Sequence, residues 1–415
     1  MKLHLPLLLS IAWASLGIAA CAREVSPPFE LNGVPAASDE APGDPPMLDT
    51  EIGTPPEPIE LLQLGATMTA REQVPAVHGS GETGTATFSL DALRSTLEYT
   101  VTHTVAAPTG AHLHLGIAGE NGEVLLPLAV APGVLSGTLR LTPEQASHIA
   151  QGRVYVDIHS ADHPDGVIRG QVVLPGEIVY VARLTADQVS DSTASSGEGL
   201  GAFLVDGTTN RMRFELRARG MVGAPTRALV GMGPAGVEGP VVLDLTDPKT
   251  PAAVRLAGAR TIDSSEPLDL GRWYVALHSR SFPMGELRGQ ILRPGQELYL
   301  ARMSGQESVP PVSTQARGSV AVIVDSDRSR IIYDVALSNM TATEAFLGEA
   351  PVGVRGAVTL PFQVLGSSFR SMRMLTQDST LLTSLSAGNI FASAASESFP
   401  EGEIRGQMRR VGLPR

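Results

Sequence analysis

The sequence predicts an all-β protein in which one antiparallel module occurs three times. The first observation is a recurring phrase, Pro-x-Gly-x-(Ile/Leu)-Arg-Gly-Gln, whose three copies begin 119 and 117 residues apart. The second observation is the alternation of apolar and polar residues before each copy, which is typical of strands with one buried face. We therefore expect three modules of domain size, at residues 59–175, 176–295 and 296–411, and each is long enough to bury a core of its own.

Each module is predicted to open with a short apolar segment, at residues 61–64, 181–184 and 300–303, and to continue with a β-hairpin. The paired alternating runs are residues 84–91 with 95–102, 199–206 with 211–217, and 318–325 with 330–337. The first run ends on an aspartate in every copy (Asp91, Asp206 and Asp325), and an Asx side chain suits the start of a turn because it can bond the backbone two residues on. A cation site at residues 325–327 is the alternative interpretation of the third aspartate.

A second hairpin precedes the end of each module. In the first module, residues 153–159 and 167–173 are apolar runs separated by Pro164-Asp165-Gly166, which has turn chemistry. The glycine within the returning strand predicts a β-bulge or a close backbone approach. The arginine before it could bind a ligand or pair in the core, but its presence in all three copies favours a structural role. These positions are Arg169 and Gly170, Arg288 and Gly289, and Arg405 and Gly406.

One short helix is predicted at residues 142–150, with Thr142 as the capping residue, Pro143 at the first helical position and Gly152 after the end. The rest of the pattern is β. Many short strands and turns in a module of this length fit a β-sandwich or a barrel.

The N-terminus carries a processing signal. Lys2 supplies a positive charge, residues 5–18 are almost continuously apolar, and small residues precede Cys21. This segment resembles a bacterial lipoprotein signal, which implies removal of residues 1–20 and lipid attachment to Cys21. An ordinary signal peptide with an incidental cysteine is the alternative. Ala22 follows the cysteine where the inner-membrane retention signal usually has aspartate, so we expect sorting to the outer membrane.

Residues 21–58 are predicted to be a disordered linker, because they are rich in proline and acidic residues and poor in large apolar ones. In extended form, such a segment could hold the modules up to about 100 Å from the lipid surface. Cys21 is the only cysteine, so a disulfide within one chain is impossible and the modules must be stable through packing.

The charge argues against one class of partner. The formal net charge is −12, which is the wrong sign for a nucleic-acid-binding protein. Local clusters of arginine nevertheless occur. Arg211, Arg213, Arg217 and Arg219 alternate largely with apolar residues, which predicts the water-exposed face of a strand, with an anion site as the alternative.

The residues that could carry chemistry are concentrated in the first module. His112-Leu113-His114 is followed by a Gly-x-x-Gly turn, and Tyr155 and His159 form a Tyr-x-x-x-His pattern before the closing phrase. Together these features resemble the CHRD family, the chordin-type domain. The resemblance implies three tandem immunoglobulin-like (superoxide-dismutase-like) antiparallel β-sandwiches after a disordered linker, and it implies no agreed biochemical activity.

The second and third modules are degenerate by the same pattern. The second keeps Tyr274 and His278, but it has residues 227–231, Arg-Ala-Leu-Val-Gly, near the His-x-His position. The third has Phe346-Leu347-Gly348 and Ala394-Ala395 where histidines would fall. The resemblance is therefore strong in the first module and rests on the repeat register in the other two.

A metal site is one interpretation of the first module. His112 and His114 are two residues apart on a strand and point to one face, His159 could supply a third ligand from an adjacent strand, and Asp157 would share its face. Three imidazoles suit Zn²⁺ or Cu²⁺. The alternative is that the histidines pack and form hydrogen bonds at a sandwich edge. Because two of three copies lack the pair, the fold itself does not need a metal.

Two functions follow from these observations. The sequence lacks the common hydrolase, metalloprotease and phosphate-binding motifs, which favours a non-catalytic, lipid-anchored envelope protein. Its modules would act in binding, in adhesion or as a spacer, with an envelope protein or glycan as the partner. The alternative is a Cu or Zn protein, or a metal-dependent oxidoreductase, centred on the first module.

Overall fold

The computed structural model describes residues 61–191, 193–246, 255–376 and 379–412. The expected signal peptide, the lipidated Cys21 and the linker at 21–58 lie outside these ranges. Within these ranges, no helix has the length and hydropathy that crossing a membrane requires.

The first module contains eight strands and one α-helix. The strands are β1 (Leu62–Thr69), β2 (Thr83–Asp91), β3 (Thr96–His103), β4 (Pro108–Leu115), β5 (Val124–Pro127), β6 (Val134–Arg140), β7 (Val154–Ser160) and β8 (Ile168–Gln171). The helix is α1 (Pro143–Ala150), and a 3-10 turn follows β1 at Ala70–Glu72.

The second module repeats the eight strands, with 3-10 turns at Ala186–Gln188 and Leu268–Leu270. The strands are β9 (Glu177–Thr185), β10 (Glu198–Asp206), β11 (Arg211–Arg219), β12 (Pro225–Met232), β13 (Val241–Asp244), β14 (Arg255–Thr261), β15 (Trp273–Ser279) and β16 (Leu287–Gln290).

The third module adds a short ninth strand and has its own helix, α2 (Thr380–Ser386), and a 3-10 turn at Gly305–Glu307. The strands are β17 (Glu297–Ser304), β18 (Arg317–Val324), β19 (Arg330–Ser338), β20 (Glu344–Glu349), β21 (Ala357–Pro361), β22 (Ser368–Met374), β23 (Ile390–Ser396), β24 (Phe399–Gln407) and β25 (Arg409–Arg410).

The three modules share one topology. The strand order in the first is β5-β4-β7-β8-β1-β2-β3-β6, and the other two sheets repeat it at equivalent positions. The two halves of this order, β1-β2-β3-β6 and β5-β4-β7-β8, enclose a common core to which both contribute buried residues such as Phe88 and Leu113. The fold is therefore three tandem antiparallel β-sandwiches, as the sequence predicts.

The opening hairpins are confirmed in all three modules. β2 pairs with β3, β10 with β11 and β18 with β19, all antiparallel. The aspartate accepts a backbone N–H at each turn: Asp91 from Arg94, Asp206 from Thr208 and Asp325 from Ser326. Asp325 also pairs with the Arg330 guanidinium at 2.6 Å. The turn and this ion pair account for Asp325 without a cation site.

The predicted helix is confirmed as α1. Thr142 accepts a hydrogen bond from the Gln145 N–H at 3.2 Å, and the Gln145 side chain accepts one from the Thr142 N–H at 2.9 Å, which completes a capping box. Pro143 occupies the first helical position. The reciprocal bonds satisfy two N–H groups that the helix cannot satisfy internally.

The glycine of the closing phrase is required by close backbone approach and not by a bulge. A Cβ atom on Gly170 would lie 2.5 Å from the carbonyl oxygen of Thr67, and one on Gly289 would lie 2.7 Å from that of Arg183. In the third module, Gly406 has the same relation to Arg302, at 2.2 Å. The returning strand of each sandwich therefore crosses its first strand where only glycine fits.

The arginine of the phrase is buried and binds the turn after the fourth strand. Arg169 donates to the Asn121 side chain and the Ile117 carbonyl, and its guanidinium carbon lies 3.4 Å from the Tyr155 ring centroid. Arg288 donates to carbonyls of the equivalent turn and lies over Tyr274 at 3.6 Å. Arg405 donates to Pro351 and lies over Phe391 at 4.0 Å. A structural role is therefore common to all three copies.

Successive modules pack through an interface that is used twice. The turn after β4 buries Ile117 and Ala118 against Val181 and Leu200 on the outer face of β9 and β10. The equivalent turn of the second module buries Ala235 against Leu300 of the third. One surface of each sandwich therefore receives the preceding module.

The prediction of a water-exposed face holds for Arg211 and Arg219 of β11, which are exposed, but not for Arg213 and Arg217. Arg213 pairs with Glu177 at 2.5 Å and donates to the Ala150 carbonyl of the first module. Arg217 pairs with Glu120 of the first module, also at 2.5 Å. Alternation correctly placed these side chains outside the core of their own sandwich, but it could not show that a neighbouring module covers them.

Candidate metal centre

The cluster in the first module is built by the pairing of β4 with β7. In this antiparallel register His112 lies opposite Asp157, His114 lies opposite Tyr155 and Gly110 lies opposite His159. Side chains two residues apart on a strand share a face, so both histidines of β4 and both polar residues of β7 project to one side. The structure therefore brings together the residues that the sequence predicts.

Four potential ligand atoms converge at this point, all within 4.8 Å of one another. His159 Nε2 lies 3.1 Å from both His112 Nδ1 and Asp157 Oδ1, and His114 Nε2 lies 3.2 Å from the same carboxylate oxygen. A tetrahedral ion with bonds of about 2.0–2.1 Å separates its ligands by about 3.3 Å. Three of the six donor pairs therefore have the spacing of a four-coordinate site, whereas His112 Nδ1 and Asp157 Oδ1 are 3.9 Å apart.

Backbone carbonyls orient two of the imidazoles. His114 Nδ1 lies 2.9 Å from the Gly122 carbonyl oxygen, and His159 Nδ1 lies 2.8 Å from that of Pro164. A carbonyl only accepts, so both Nδ1 atoms carry a proton and donate it. In the neutral rings, both Nε2 lone pairs then face the cluster, and this is the arrangement that metal-binding histidines usually have.

The facing lone pairs call for a cation. Neutral His114 would present its Nε2 lone pair to the Asp157 carboxylate, which is repulsive unless a proton or a metal ion lies between them. Burial favours the neutral carboxyl, but the adjacent His114 and His159 outweigh burial and hold the pKa of Asp157 below its usual value. The hydrogen bond with Asp157 raises the pKa of His159.

His112 differs from the other two histidines. Burial, together with the nearby His159, holds the pKa of His112 below its usual value and favours the neutral ring. Its side chain is 29% exposed, whereas that of Asp157 is 4% exposed. His112 is thus the member of the cluster on the solvent side.

The aromatic ring of Tyr155 packs against the histidine cluster. The imidazole of His114 stacks on Tyr155 with 4.9 Å between ring centroids and an 8° angle between planes. Arg169 lies over the same tyrosine, and the tyrosine hydroxyl accepts a hydrogen bond from the Gly122 N–H. The closing phrase therefore helps to position His114 through Tyr155.

Comparison with known families agrees with the fold and the motifs. The family model of the CHRD domain matches residues 64–172, 180–291 and 299–408. The chain belongs to the CHRD domain family. No curated protein and no solved structure matches the chain. Membership explains the three equivalent sandwiches and leaves the activity of CHRD modules to be argued from the side chains.

The register of the other two CHRD modules shows what replaces the cluster. In the second, Leu229 lies opposite Ala276 where the first has His112 opposite Asp157, and Gly231 lies opposite Tyr274 in place of His114. His278 remains, and its Nδ1 lies 2.9 Å from the Pro283 carbonyl as His159 does from Pro164.

In the third CHRD module the replacement is complete. Phe346 lies opposite Ser393, Gly348 opposite Phe391 and Glu344 opposite Ala395. A Cβ atom on Gly348 would lie 2.4 Å from the Phe391 ring, and one on Gly231 would lie 2.4 Å from the Tyr274 ring. In both modules the aromatic ring thus occupies the space that a side chain at the position of His114 would need.

Proposed function

We propose that the protein is an envelope-anchored metal-binding protein whose first CHRD module holds one Zn²⁺ or Cu²⁺ ion. The observation that carries this proposal is the convergence of His112 Nδ1, His114 Nε2, His159 Nε2 and Asp157 Oδ1 within 4.8 Å of one another, with three of the six pairs at 3.1–3.2 Å. Three imidazoles and one carboxylate are ligands that both metals accept. Binding would replace the protons that now separate these groups, so metal uptake releases protons.

The proposed role is to hold or carry the ion. Zinc sites that the protein fills with four ligands are usually structural, whereas catalytic sites keep a position open for water or substrate. Here the chain supplies four donors. This supports the expectation of a non-catalytic protein, and a copper-loaded sample without redox turnover would agree with it.

Metal content tests the proposal directly. Purified protein is loaded with Zn²⁺ or Cu²⁺, desalted and analysed by mass spectrometry for bound metal. We expect about one ion per chain, and none in the His112→Ala/His114→Ala double variant, because half of the ligands are gone. The control is His148→Ala/His163→Ala, which removes two histidines outside the cluster. Equal metal content in the two double variants would refute the proposal.

The anchoring part of the proposal rests on the leader. A lipid on Cys21, followed by the linker at 21–58, would place the modules at the outer membrane, on its periplasmic or surface face. Mass spectrometry of the mature N-terminal peptide checks this. We expect a diacylglyceryl cysteine at position 21 and a soluble, unlipidated product from Cys21→Ser; an unmodified Cys21 in mature protein contradicts the anchor.

A second role is proposed for the other two CHRD modules. They retain the sandwich and the interface without the histidine cluster, which supports a part in spacing, adhesion or binding of an envelope protein or glycan. A pull-down from envelope extract with protein carrying the His112→Ala/His114→Ala change separates this role from metal binding. Partners retained by the metal-site variant support it, and the loss of all specific partners contradicts it.

A further inference from the structure

A cavity of about 440 Å³ lies where the three CHRD modules meet. The first module contributes the segment after β1, the second contributes β9 and the segment after β16, and the third contributes β17 and the segment after β25. Small-molecule sites typically occupy about 300–1,000 Å³ and often lie at domain interfaces. The cavity therefore has the size and the place of a ligand site.

The lining of this cavity is cationic although the whole chain is acidic. Among its described lining residues, five are arginines and two are carboxylates, Glu72 and Glu297. The arginines are Arg71, Arg169, Arg183, Arg293 and Arg410. Arg293 pairs with Asp269 at 2.6 Å, but the other four arginines still outnumber the two lining carboxylates, in a chain with a formal net charge of −12.

Arg183 faces the cavity with no carboxylate partner among the residues that the structure describes. Its guanidinium donates to the Gly119 carbonyl of the first module at 2.9 Å, and the remaining donors have no recorded acceptor in those ranges. The positive charge of Arg410 is close enough to add to burial in lowering the pKa of Arg183. Arg183 and Arg410 therefore both place positive charge at the lining of the cavity.

The carboxylates of the lining do not balance this charge. Glu297 is shared, since Arg328, His78 and Arg410 approach its Oε1 at 2.8, 3.4 and 3.5 Å. Burial raises the pKa of Glu72 to about 7 in spite of the attraction of nearby arginines, so this group is only partly ionised at neutral pH.

Arg71 adds an exposed guanidinium at the rim. Its backbone packs closely against Gly295 of the third module, but within the described ranges its side chain forms no recorded hydrogen bond or ion pair. Arg71 can therefore be changed without removing a contact that holds the modules together.

We propose that this cavity binds a compact oxyanion with at least two negatively charged oxygens, either a polycarboxylate or a phosphate compound. The planar guanidinium presents paired donors that match the oxygens of both groups. Arg183 and Arg410 are the principal contacts, and Arg71 contributes from the rim. The site is separate from the histidine cluster, so it does not depend on the metal.

Calorimetric titration of purified protein with citrate and with pyrophosphate tests the inference and distinguishes the two sources of oxygen. We expect saturable binding of at least one probe, weakened about tenfold or more by Arg183→Gln and less by Arg71→Gln, because Arg71 lies at the rim. Arg94→Gln is the control, since Arg94 is 69% exposed and pairs with Asp91 elsewhere.

The titrations either support or overturn oxyanion binding at the cavity. Preference for citrate or for pyrophosphate identifies the chemical class, and retained folding of Arg71→Gln keeps the test valid if Arg183→Gln is unstable. Binding of neither probe to the wild-type protein overturns the inference. So does binding that both cavity variants leave unchanged or that Arg94→Gln weakens to the same extent.

Discussion

Single side chains distinguish the first CHRD module from its two copies. His278 of the second module keeps the position of His159 and the same contact with a backbone carbonyl, 2.9 Å from Pro283. The residue opposite it is Arg227, however, and Leu229 and Ala276 occupy the positions that correspond to His112 and Asp157, so neither position holds a ligand. The two histidines thus form a matched pair in which the neighbours alone differ.

This pair gives the first prediction. His159→Ala removes one of four ligands, and we expect the affinity for Zn²⁺ or Cu²⁺ to fall by about 100-fold. His278→Ala should leave the affinity unchanged. Competition with a chelating dye measures both variants. Equal losses of affinity would show that the ion is not held where the geometry places it.

Glu72 gives a prediction about pH. Its folded-state pKa is raised from 4.5 to about 7, so between these values the folded chain keeps a proton that the unfolded chain releases. Its contribution to stability therefore decreases as pH rises through this window, and the cost is fully present above pH 7.

Glu72→Gln removes this titration. Melting temperatures are measured between pH 4.5 and 8. The melting temperature of the variant should rise relative to that of the wild type as pH increases towards 7, and the difference between the two should change little above pH 7. The difference between the proteins isolates Glu72 from other titrating groups. A difference that is constant across the range contradicts the proposed burial of this carboxyl.

Much of the metal cluster could be predicted from the sequence. The period of a strand placed His112 with His114 and Asp157 with His159, but that the two strands are adjacent was a condition of the metal hypothesis and not a prediction from the sequence. The orienting carbonyls of Gly122 and Pro164 could not be predicted, because they belong to loops whose paths depend on the whole sandwich. The stacking of His114 on Tyr155 could have been suspected from their common appearance in one module.

At the scale of elements, the turn after β4 forms contacts on two sides. Within its own module it is bound by the arginine of the closing phrase, and on its outer side it packs on the next module. Gly119, at φ +83°, marks the closest approach, since a Cβ there would lie 2.7 Å from Val181. Gly353 of the third module has nearly the same φ, +75°, with no described atom near its Cβ position.

Alanine substitution at these two glycines separates local strain from the interface. Both variants lose stability because alanine disfavours a left-handed backbone, but only the new methyl group of Gly119→Ala clashes with Val181. We expect Gly119→Ala to be more destabilising than Gly353→Ala by about 1–3 kcal/mol. Urea unfolding measures both. Equal losses of stability would mean that the modules do not pack through this turn.

The elements themselves were predictable to different degrees. The opening hairpins and α1 follow from strict alternation and from a capping box, which are signals within one segment. The strands β5 and β6 were not predicted, because both lie at the ends of the strand order and are largely exposed. An edge strand needs no strong apolar pattern, since only one neighbour and one partly buried face define it.

At the scale of the whole molecule, the first module differs from the second on the outer face of its first two strands. This face carries Val181 and Leu200 in the second module, where it packs against the turn after β4. Gly65 and Thr85 hold the equivalent register in the first module. A polar surface of this kind favours the solubility of repeat proteins.

Arg302 connects the second and third modules. Its guanidinium donates to the carbonyls of Ser190 at 2.6 Å and Asp187 at 3.2 Å, and it also contacts that of Val189. Arg302→Met should lower the free energy of unfolding by about 2–4 kcal/mol and separate one calorimetric transition into two. Arg280→Met, at an exposed position, is the control. A single unshifted transition would show that this contact does not couple the modules.

The relation between modules could not be predicted from the sequence. The repeat length and the closing phrase define three sandwiches, but a contact such as that of Arg183 with Gly119 joins residues 64 positions apart in different modules. Neither the period of apolar residues nor the secondary-structure propensity predicts such a contact. The anion cavity arises from the same contacts, so it is visible only after the modules are placed together.

The central claim is that one metal ion binds in the first CHRD module and nowhere else in the repeat. Anomalous diffraction at the zinc or copper edge, from crystals of metal-loaded protein, tests it most directly. The account predicts one peak per chain, about 2.0–2.2 Å from His112 Nδ1, His114 Nε2, His159 Nε2 and Asp157 Oδ1. No peak at this position, or peaks of equal height in the second and third modules, would contradict it.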